Sequence, residues 1–422
     1  CGETKLEAVA GECRDEGMIR KVDTFNEDYR LVEVGAILNW FDIEEKPGRL
    51  SLNSKMSDVI STFRGKLLFM KLMGKMLGGK KKGEKAKPMG FEMTTEMMSM
   101  MGGFTVLRLL TMAGGMMNAK FTKEENGVWK GRMGALKDGV YRYRFMVDGM
   151  SVYDPKAPSA GETQALLTVA PKGDEFFAMK NVPHGAVAER YYWSETLGQM
   201  RRLHVWTPAG YEKSTEELPV LYLVHGGGDN DKSWPTVGAA GAILDNLLAE
   251  GKMVPMVVVM PNGTIEMPDG NIQGEVPVFA QDMVTSIIPF IEDNYRVKTD
   301  QANRAMAGLS MGGMETLETT LNNPEMFSYV WVLSSSFAPG NKEVYEFERV
   351  RLKKEAARLN KNFKVLVFTQ GGPSDIAYNN CKETLKLFDE AGVKYEYNEV
   401  PGGHSWTAWR QNLYDLAPRL FK

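Results

Sequence analysis

Five residues, Gly308-Leu309-Ser310-Met311-Gly312, constrain this chain more than any other stretch. An apolar run, Arg304-Ala305-Met306-Ala307, leads in, and a helix-forming run from Met314 to Leu321 leads out. The pattern predicts a strand, a sharp turn and a helix, with the serine at the turn. Glycines on either side let strand and helix approach closely. The turn holds the serine in a strained conformation and presents its hydroxyl at the edge of a sheet. With 43 glycines in 422 residues the five-residue pattern is easily met by chance, so its weight comes from the strand and helix around it.

A chain of this length should hold two or three domains. Its 43% apolar and 25% charged residues are ordinary for a globular protein. A formal charge of -3 gives no global reason to expect nucleic acid or an anionic membrane as partner. Cys1, Cys13 and Cys381 make neither a disulfide framework nor a C-x-x-C metal pattern. No apolar stretch reaches the roughly 18–20 residues that span a bilayer, and no signal peptide is visible. A first Cys1-Gly2 would suit a bacterial lipoprotein after signal cleavage, and equally a trimmed boundary.

Residues 1–120 read as a mixed N-terminal region, with one or two strands within Tyr29 to Trp40. Between Leu52 and Met117 lie thirteen of the 28 methionines, many at helical spacing, which predicts two or three amphipathic helices around a small core. Lys80-Lys81-Lys82, with Lys85 and Lys87, reads as a solvated linker; no aromatic residues interleave with it as nucleic-acid stacking platforms. Residues 121–172 change texture. Gly139 to Val147 alternates aromatic or apolar with polar residues, and Asp148-Gly149 signals a turn. With Gly127 to Gly131 and Leu166 to Val169, this resembles the later half of an immunoglobulin-like, family 48-type carbohydrate-binding module. The module's first strands would fall where the methionine-rich stretch lies, so a truncated, sandwich-like structural spacer is expected.

Residues 175–422 read as one catalytic domain. Strands are expected at Arg201 to Thr207, Leu218 to Val224, Val254 to Met260, Tyr329 to Leu333, Phe363 to Phe368 and Lys394 to Val400. Helices are expected at Phe279 to Tyr295, Glu346 to Leu359, Asn379 to Ala391 and Thr407 to Leu420. This alternation predicts an α/β fold with a parallel, helix-covered sheet.

The serine turn resembles the nucleophile elbow of α/β-hydrolases, in which the triad runs serine, acid, histidine along the chain. A serine hydroxyl needs a general base within hydrogen-bond reach, and histidine suits that role. Of the four histidines, His184, His204 and His225 precede Ser310, and only His404 follows it. Asp375 is the first carboxylate in the loop after the Phe363 to Phe368 strand, where it would orient His404; its other reading is the N-cap of the next helix. Glu383 and Asp389 lie deeper in that helix. Attack on an ester creates an oxyanion that needs aimed donors. His225-Gly226-Gly227-Gly228-Asp229 follows an apolar strand, and the N–H groups of Gly227 and Met311 are the expected pair, with Gly226 and Gly228 as alternatives to Gly227.

In this order, HGGGD, GLSMGG, the Gly-Gly-Pro-Ser-Asp loop and GGHSWTAWR resemble carbohydrate esterase family 1, over about 180–422. That family holds feruloyl esterases, acetylxylan esterases and esterase-D-like hydrolases. The resemblance implies a secreted, periplasmic or cell-surface serine esterase acting on feruloyl or acetyl decorations of plant cell-wall xylan, without metal or organic cofactor. Trp234, Trp406 and Trp409 flank the proposed loops and would wall a feruloyl ring or xylose face; their other reading is core packing beside the sheet edge. The rival readings are a siderophore esterase of the enterochelin type, for which Arg410 is a nearby cation, and a carbohydrate-binding protein with a vestigial esterase domain.

Overall fold

A computed structural model describes pieces of the first 174 residues (30–31, 62, 121–123, 128–131, 139–147, 150–152, 154, 156–160 and 164–169) and 175–422 apart from 267–271 and 339–341. The methionine-rich helices expected within 52–117 and the lysine run lie outside the described residues. So does the expected Tyr29 to Trp40 strand region, apart from its residues 30–31.

In the N-terminal part the strands are β1 (Arg30–Leu31), β2 (Phe121–Lys123), β3 (Trp129–Gly131), β4 (Gly139–Val147), β5 (Met150–Val152), β6 (Ser159–Ala160) and β7 (Gln164–Val169). β2 and β3 pair with each other, and the rest form one antiparallel sheet in the order β1-β4-β7-β6, with β5 also on β4. Val147 pairs with Met150, so the Asp148-Gly149 turn signal sits between two paired strands.

The second sheet has eight strands: β8 (Ala186–Ser194), β9 (Gln199–Thr207), β10 (Val220–Val224), β11 (Val257–Pro261), β12 (Arg304–Leu309), β13 (Tyr329–Leu333), β14 (Val365–Gln370) and β15 (Glu396–Glu399). Their order is β15-β14-β13-β12-β10-β11-β9-β8. β10 through β15 run parallel, whereas β9 pairs antiparallel with both β11 and β8. The sheet is therefore mixed, with an antiparallel hairpin at one side of the expected parallel core. Helices α1 (Ala240–Ala249), α2 (Ile272–Asp282), α3 (Ile288–Asn294), α4 (Met311–Asn322), α5 (Lys342–Asn362), α6 (Tyr378–Ala391) and α7 (Trp406–Leu416) cover it.

The apolar runs explain the two-sided burial. Tyr222 and Val224 join the core on one face of the sheet, with Phe279, Ile287 and Phe388. Leu221 and Leu223 join the core on the other, with Ile243, Leu244 and Leu413. A strand buried on both faces must be apolar at every position, since successive side chains alternate.

Two expectations need correction. The single helix expected from Phe279 to Tyr295 starts by Ile272 and is broken by a π-helical turn, Met283–Ile287. Pro289 offers no N–H to the carbonyl of Thr285, which disfavours regular α-helical bonding at this point. The N-terminal sheet is also more than a spacer. Val140 on β4 and Leu166 on β7 belong to the same buried cluster as Trp206, Trp234 and Trp406, so the two sheets share a core.

Backbone segments approach very closely at the elbow. A Cβ on Gly308 would lie 2.1 Å from the carbonyl oxygen of Gly312, and one on Gly312 would lie 2.3 Å from that of His225. These obstacles are backbone and cannot swing aside. By contrast, a Cβ on Gly241 in α1 would meet nothing nearer than 3.7 Å. Gly308→Ala is expected to lower stability by about 3 kcal/mol or more, beyond ordinary overpacking. Gly241→Ala should change it by less than about 1 kcal/mol. Denaturant melts of the two variants check the contrast.

Candidate active site

β12 delivers Leu309 to the elbow and α4 begins at Met311. Between them Ser310 has φ 53° and ψ -117°, a region that residues with a side chain rarely occupy. The surroundings hold it there. Its N–H donates to the Leu333 carbonyl at 2.8 Å, and its carbonyl accepts from the Ser335 hydroxyl at 2.5 Å. A Cβ on Gly313 would lie 2.4 Å from Ser335 Cβ, so the helix sits close against the loop after β13.

Two loops meet the serine. His404 lies between β15 and α7, and Asp375 lies between β14 and α6. His404 Nε2 is 3.0 Å from Ser310 Oγ, and His404 Nδ1 is 2.8 Å from Asp375 Oδ1. Asp375 also accepts from the N–H of Gly371 and of Ala377, each at 2.9 Å. α6 starts only at Tyr378, so Asp375 is not its N-cap residue. The loops are zipped together: Gly403 N–H donates to the Gly371 carbonyl, and a Cβ on Gly371 would lie 2.0 Å from the Gly403 oxygen. Burial alone would raise the Asp375 carboxyl. The His404 ring and the hydrogen bonds from His404, Ser334 and Ala377 outweigh it and hold the group below the usual carboxylate range. The aspartate is therefore ionised at neutral pH and faces the His404 nitrogen opposite the serine.

The glycine loop after β10 stands across from the elbow. Asp229 N–H donates to the Gly226 carbonyl at 3.1 Å, closing a four-residue turn, and Gly228 has φ +78°. A positive φ at the third turn position calls for glycine. Gly227, at the second position, is exposed, and its Cβ position is 3.9 Å from Met311 Cβ. The Met311 N–H is the first of α4, where no intrahelical acceptor exists. The arrangement thus brings the two expected donors to one side of Ser310.

Buried polar groups, most of them without an assigned role in the sequence, lie around this loop and the elbow. His225 is fully buried; burial lowers its pKa, against Asp229 and the hydrogen bonds to Gly226 and Asn262, and keeps the ring neutral. Nδ1 then donates to the Gly226 carbonyl at 2.8 Å and Nε2 accepts the Gly263 N–H at 2.9 Å. Asp231 takes two hydrogen bonds from Arg202, at 2.7 and 2.9 Å, and pairs with His204 Nδ1 at 2.7 Å. His204 is accordingly a packed histidine of β9 rather than a base for Ser310. Glu315, on α4 behind the elbow, is wholly buried; burial chiefly, and Glu275 next, raise its pKa well above the carboxylate range, so it stays protonated.

Trp234, Trp406 and Trp409 are not an open wall. They are 1%, 4% and 6% exposed. Trp234 meets Trp406 edge-on at 5.0 Å, Trp406 meets Trp409 at 5.2 Å, and Trp409 meets the His404 ring at 5.1 Å. Trp409 Nε1 donates to Ser334 Oγ at 3.0 Å. Packed this way, the rings back the histidine, and their faces are spent on one another.

This sheet order, with a strained serine on the turn after β12, defines an α/β-hydrolase. The profile of the Esterase family matches residues 194–420, more than half of the chain, and the chain belongs to that family. A curated endo-1,4-beta-xylanase/feruloyl esterase from Xylanibacter ruminicola is 36% identical over 312 residues, which is 71% of this chain and 41% of that protein. Endo-1,4-beta-xylanase Y from Acetivibrio thermocellus is 26% identical over 245 residues, 52% of this chain and 22% of that protein. The chain thus spans less than half the length of either relative. The solved CE1 ferulic acid esterase from Anaeromyces mucronatus in complex with ferulic acid superposes with a TM-score of 0.52 at 22% identity, covering 59% of this chain and 95% of that one, a likeness of fold.

The Asp231 pair gives a pH prediction. Burial raises this carboxyl, but His204 and Arg202 outweigh it and lower its pKa to about 2. The unfolded chain holds the proton more tightly, so the pair stabilises the fold above about pH 4 and that stabilisation is lost as pH falls toward 2. The contribution is on the order of 2 kcal/mol. Urea melts between pH 6 and 2.5 should show Asp231→Asn less stable than wild type at pH 6 and the gap narrowing in acid.

Proposed function

We propose that this protein is a serine esterase of the carbohydrate esterase family 1 type, hydrolysing feruloyl esters on plant cell-wall xylan or its oligosaccharides. The observation that carries the reading is the unbroken hydrogen-bond path from Asp375 through His404 to the strained Ser310. Ser310 Oγ attacks the ester carbonyl as His404 Nε2 takes its proton. Asp375 holds the imidazole in the tautomer that leaves Nε2 free to accept, and stabilises the imidazolium. The N–H groups of Gly227 and Met311 receive the oxyanion. Collapse expels the sugar alcohol, which leaves with the proton from Nε2, and an acyl-enzyme remains. Water, deprotonated by His404, then attacks the acyl carbonyl and releases the acid and Ser310. No step calls for a metal or an organic cofactor.

The feruloyl group is preferred to acetyl because the Xylanibacter ruminicola relative is named a feruloyl esterase as well as a xylanase. A wall polymer as substrate would place the protein outside the cytoplasm, secreted, periplasmic or on the cell surface. Among the described residues no helix is long and apolar enough to cross a membrane. The siderophore reading loses its cation, because Arg410 is 2% exposed and its N–H groups donate to the carbonyls of Val237 and Val140. The vestigial-domain reading sits poorly with an intact hydrogen-bond path.

Release of acid from methyl ferulate and from acetylated xylan tests the proposal. Ser310→Ala should lower ferulate release by about 10³-fold or more with the melting temperature unchanged. Ferulate release retained in the variant would refute the serine mechanism, and acetate release alone would move the substrate to acetylxylan.

A further inference from the structure

The proposed oxyanion loop is held from outside the hydrolase domain. Val140 and Arg142 alternate on the same face of β4, and Leu166 on β7 is the cross-strand partner of Arg142. Val140 and Leu166 enter the hydrolase core. Arg142 goes further: its Nη1 forms an ion pair with Asp229 Oδ1, and its guanidinium lies 5.7 Å from the centre of the Trp406 ring. The side chains are 15% and 7% exposed. One turn of helix after Trp406, Arg410 donates to the Val140 carbonyl at 3.0 Å. A single strand of the N-terminal sheet therefore touches both the loop that carries Gly227 and the helix that follows His404.

The position of Asp229 makes this contact consequential. Gly227 sits inside the turn from Gly226 to Asp229, so its N–H is aimed by the two ends of that turn. The Gly226 end is fixed by packing, since a Cβ there would lie 2.6 Å from Leu309 Cδ1. The Asp229 end has its N–H in the turn and its carbonyl on the Thr264 hydroxyl at 3.3 Å. Its carboxylate is held by Arg142. A mostly buried carboxylate that loses its cation must move toward water or draw another donor to itself. Either response would shift the turn, and displacement of a donor by about 1 Å can cost about 100-fold in rate.

We infer that Arg142 is a positioning residue for ester hydrolysis: through Asp229 it sets the turn that presents the Gly227 N–H, so the N-terminal sheet completes the site. This deepens the serine-esterase reading and rests on it. Arg142 touches no reacting atom in this scheme, and its influence runs through the loop.

The test uses the full chain and a soluble aryl acetate, with Arg142→Met, Arg142→Lys, Asp229→Asn and the double variant Arg142→Met/Asp229→Asn. Arg142→Met keeps the stem over Trp406 and removes the charge. It should lower kcat about 10- to 100-fold with KM changed less than about twofold. Arg142→Lys should recover at least a third of the lost activity, and the double variant should be no worse than the poorer single one. Labelling of Ser310 by a fluorophosphonate should slow in parallel with kcat. An unchanged kcat in Arg142→Met, a loss confined to KM, or fully multiplicative losses in the double variant would overturn the inference. If Arg142→Met fails to fold, Asp229→Asn, which leaves the N-terminal sheet intact, is read by the same criteria. Failure of the underlying reading looks different: wild type would neither turn over the ester nor be labelled at Ser310.

Discussion

The contact between β12 and α4 at Gly308 and Gly312 is the constraint from which the site follows. A side chain on Gly308 would collide with the Gly312 carbonyl, and one on Gly312 with the carbonyl of His225 just after β10, so α4 meets both strands at distances only glycine permits. The β12–α4 distance forces the connecting residue into the conformation of Ser310. The strain is offset by cooperation among neighbours: the Leu333 carbonyl takes the serine N–H, and the Ser335 hydroxyl returns a bond to its carbonyl. The same turn sets the start of α4 and hence the direction of the Met311 N–H. The proposed nucleophile and one proposed oxyanion donor are thus placed by a single piece of geometry.

The remaining parts are loops held by buried polar contacts. Asp375 is wholly buried yet ionised, because His404 and two backbone N–H groups answer its charge. The Gly371–Gly403 contact ties the Asp375 loop to the His404 loop. Behind His404 three tryptophans meet edge-on and fill the space toward α1 and the N-terminal sheet. His404 is thus backed by aromatic packing, and Asp375 is held by hydrogen bonds.

Much of this was legible in the sequence. The continuous apolar runs ending at Val224 and Met260 predicted strands to within a few residues, because a two-sided strand admits no polar position. The glycine-flanked turn nominated Ser310, and chain order with loop position nominated His404 and Asp375; the fold brings the three within hydrogen-bond reach. Other features were hidden for physical reasons. Adjacency to a loop does not reveal which way a ring points, so the sequence left substrate wall and core packing both open for the tryptophans, which are packing. The π turn before Pro289 depends on a local loss of hydrogen bonding inside an otherwise helical pattern. Arg142 and Asp229 are 87 residues apart, and nothing in the alternation of β4 marks one arginine as a partner of a distant glycine loop. Asp231 was hidden in the same way, since its partners Arg202 and His204 lie on a strand that reads as ordinary β structure.

The placement of Val140 and Leu166 in the hydrolase core bears on how such a chain can be assembled and recombined. Domains that exchange freely between genes are joined by linkers and keep their apolar surfaces to themselves. Here the seam between the two sheets runs through shared apolar packing, close to Trp206, Trp234 and Trp406. A graft of the hydrolase half alone onto another protein would carry a bare apolar scar at that seam. In this chain, therefore, the two sheets are better moved as a pair than cut apart at the seam.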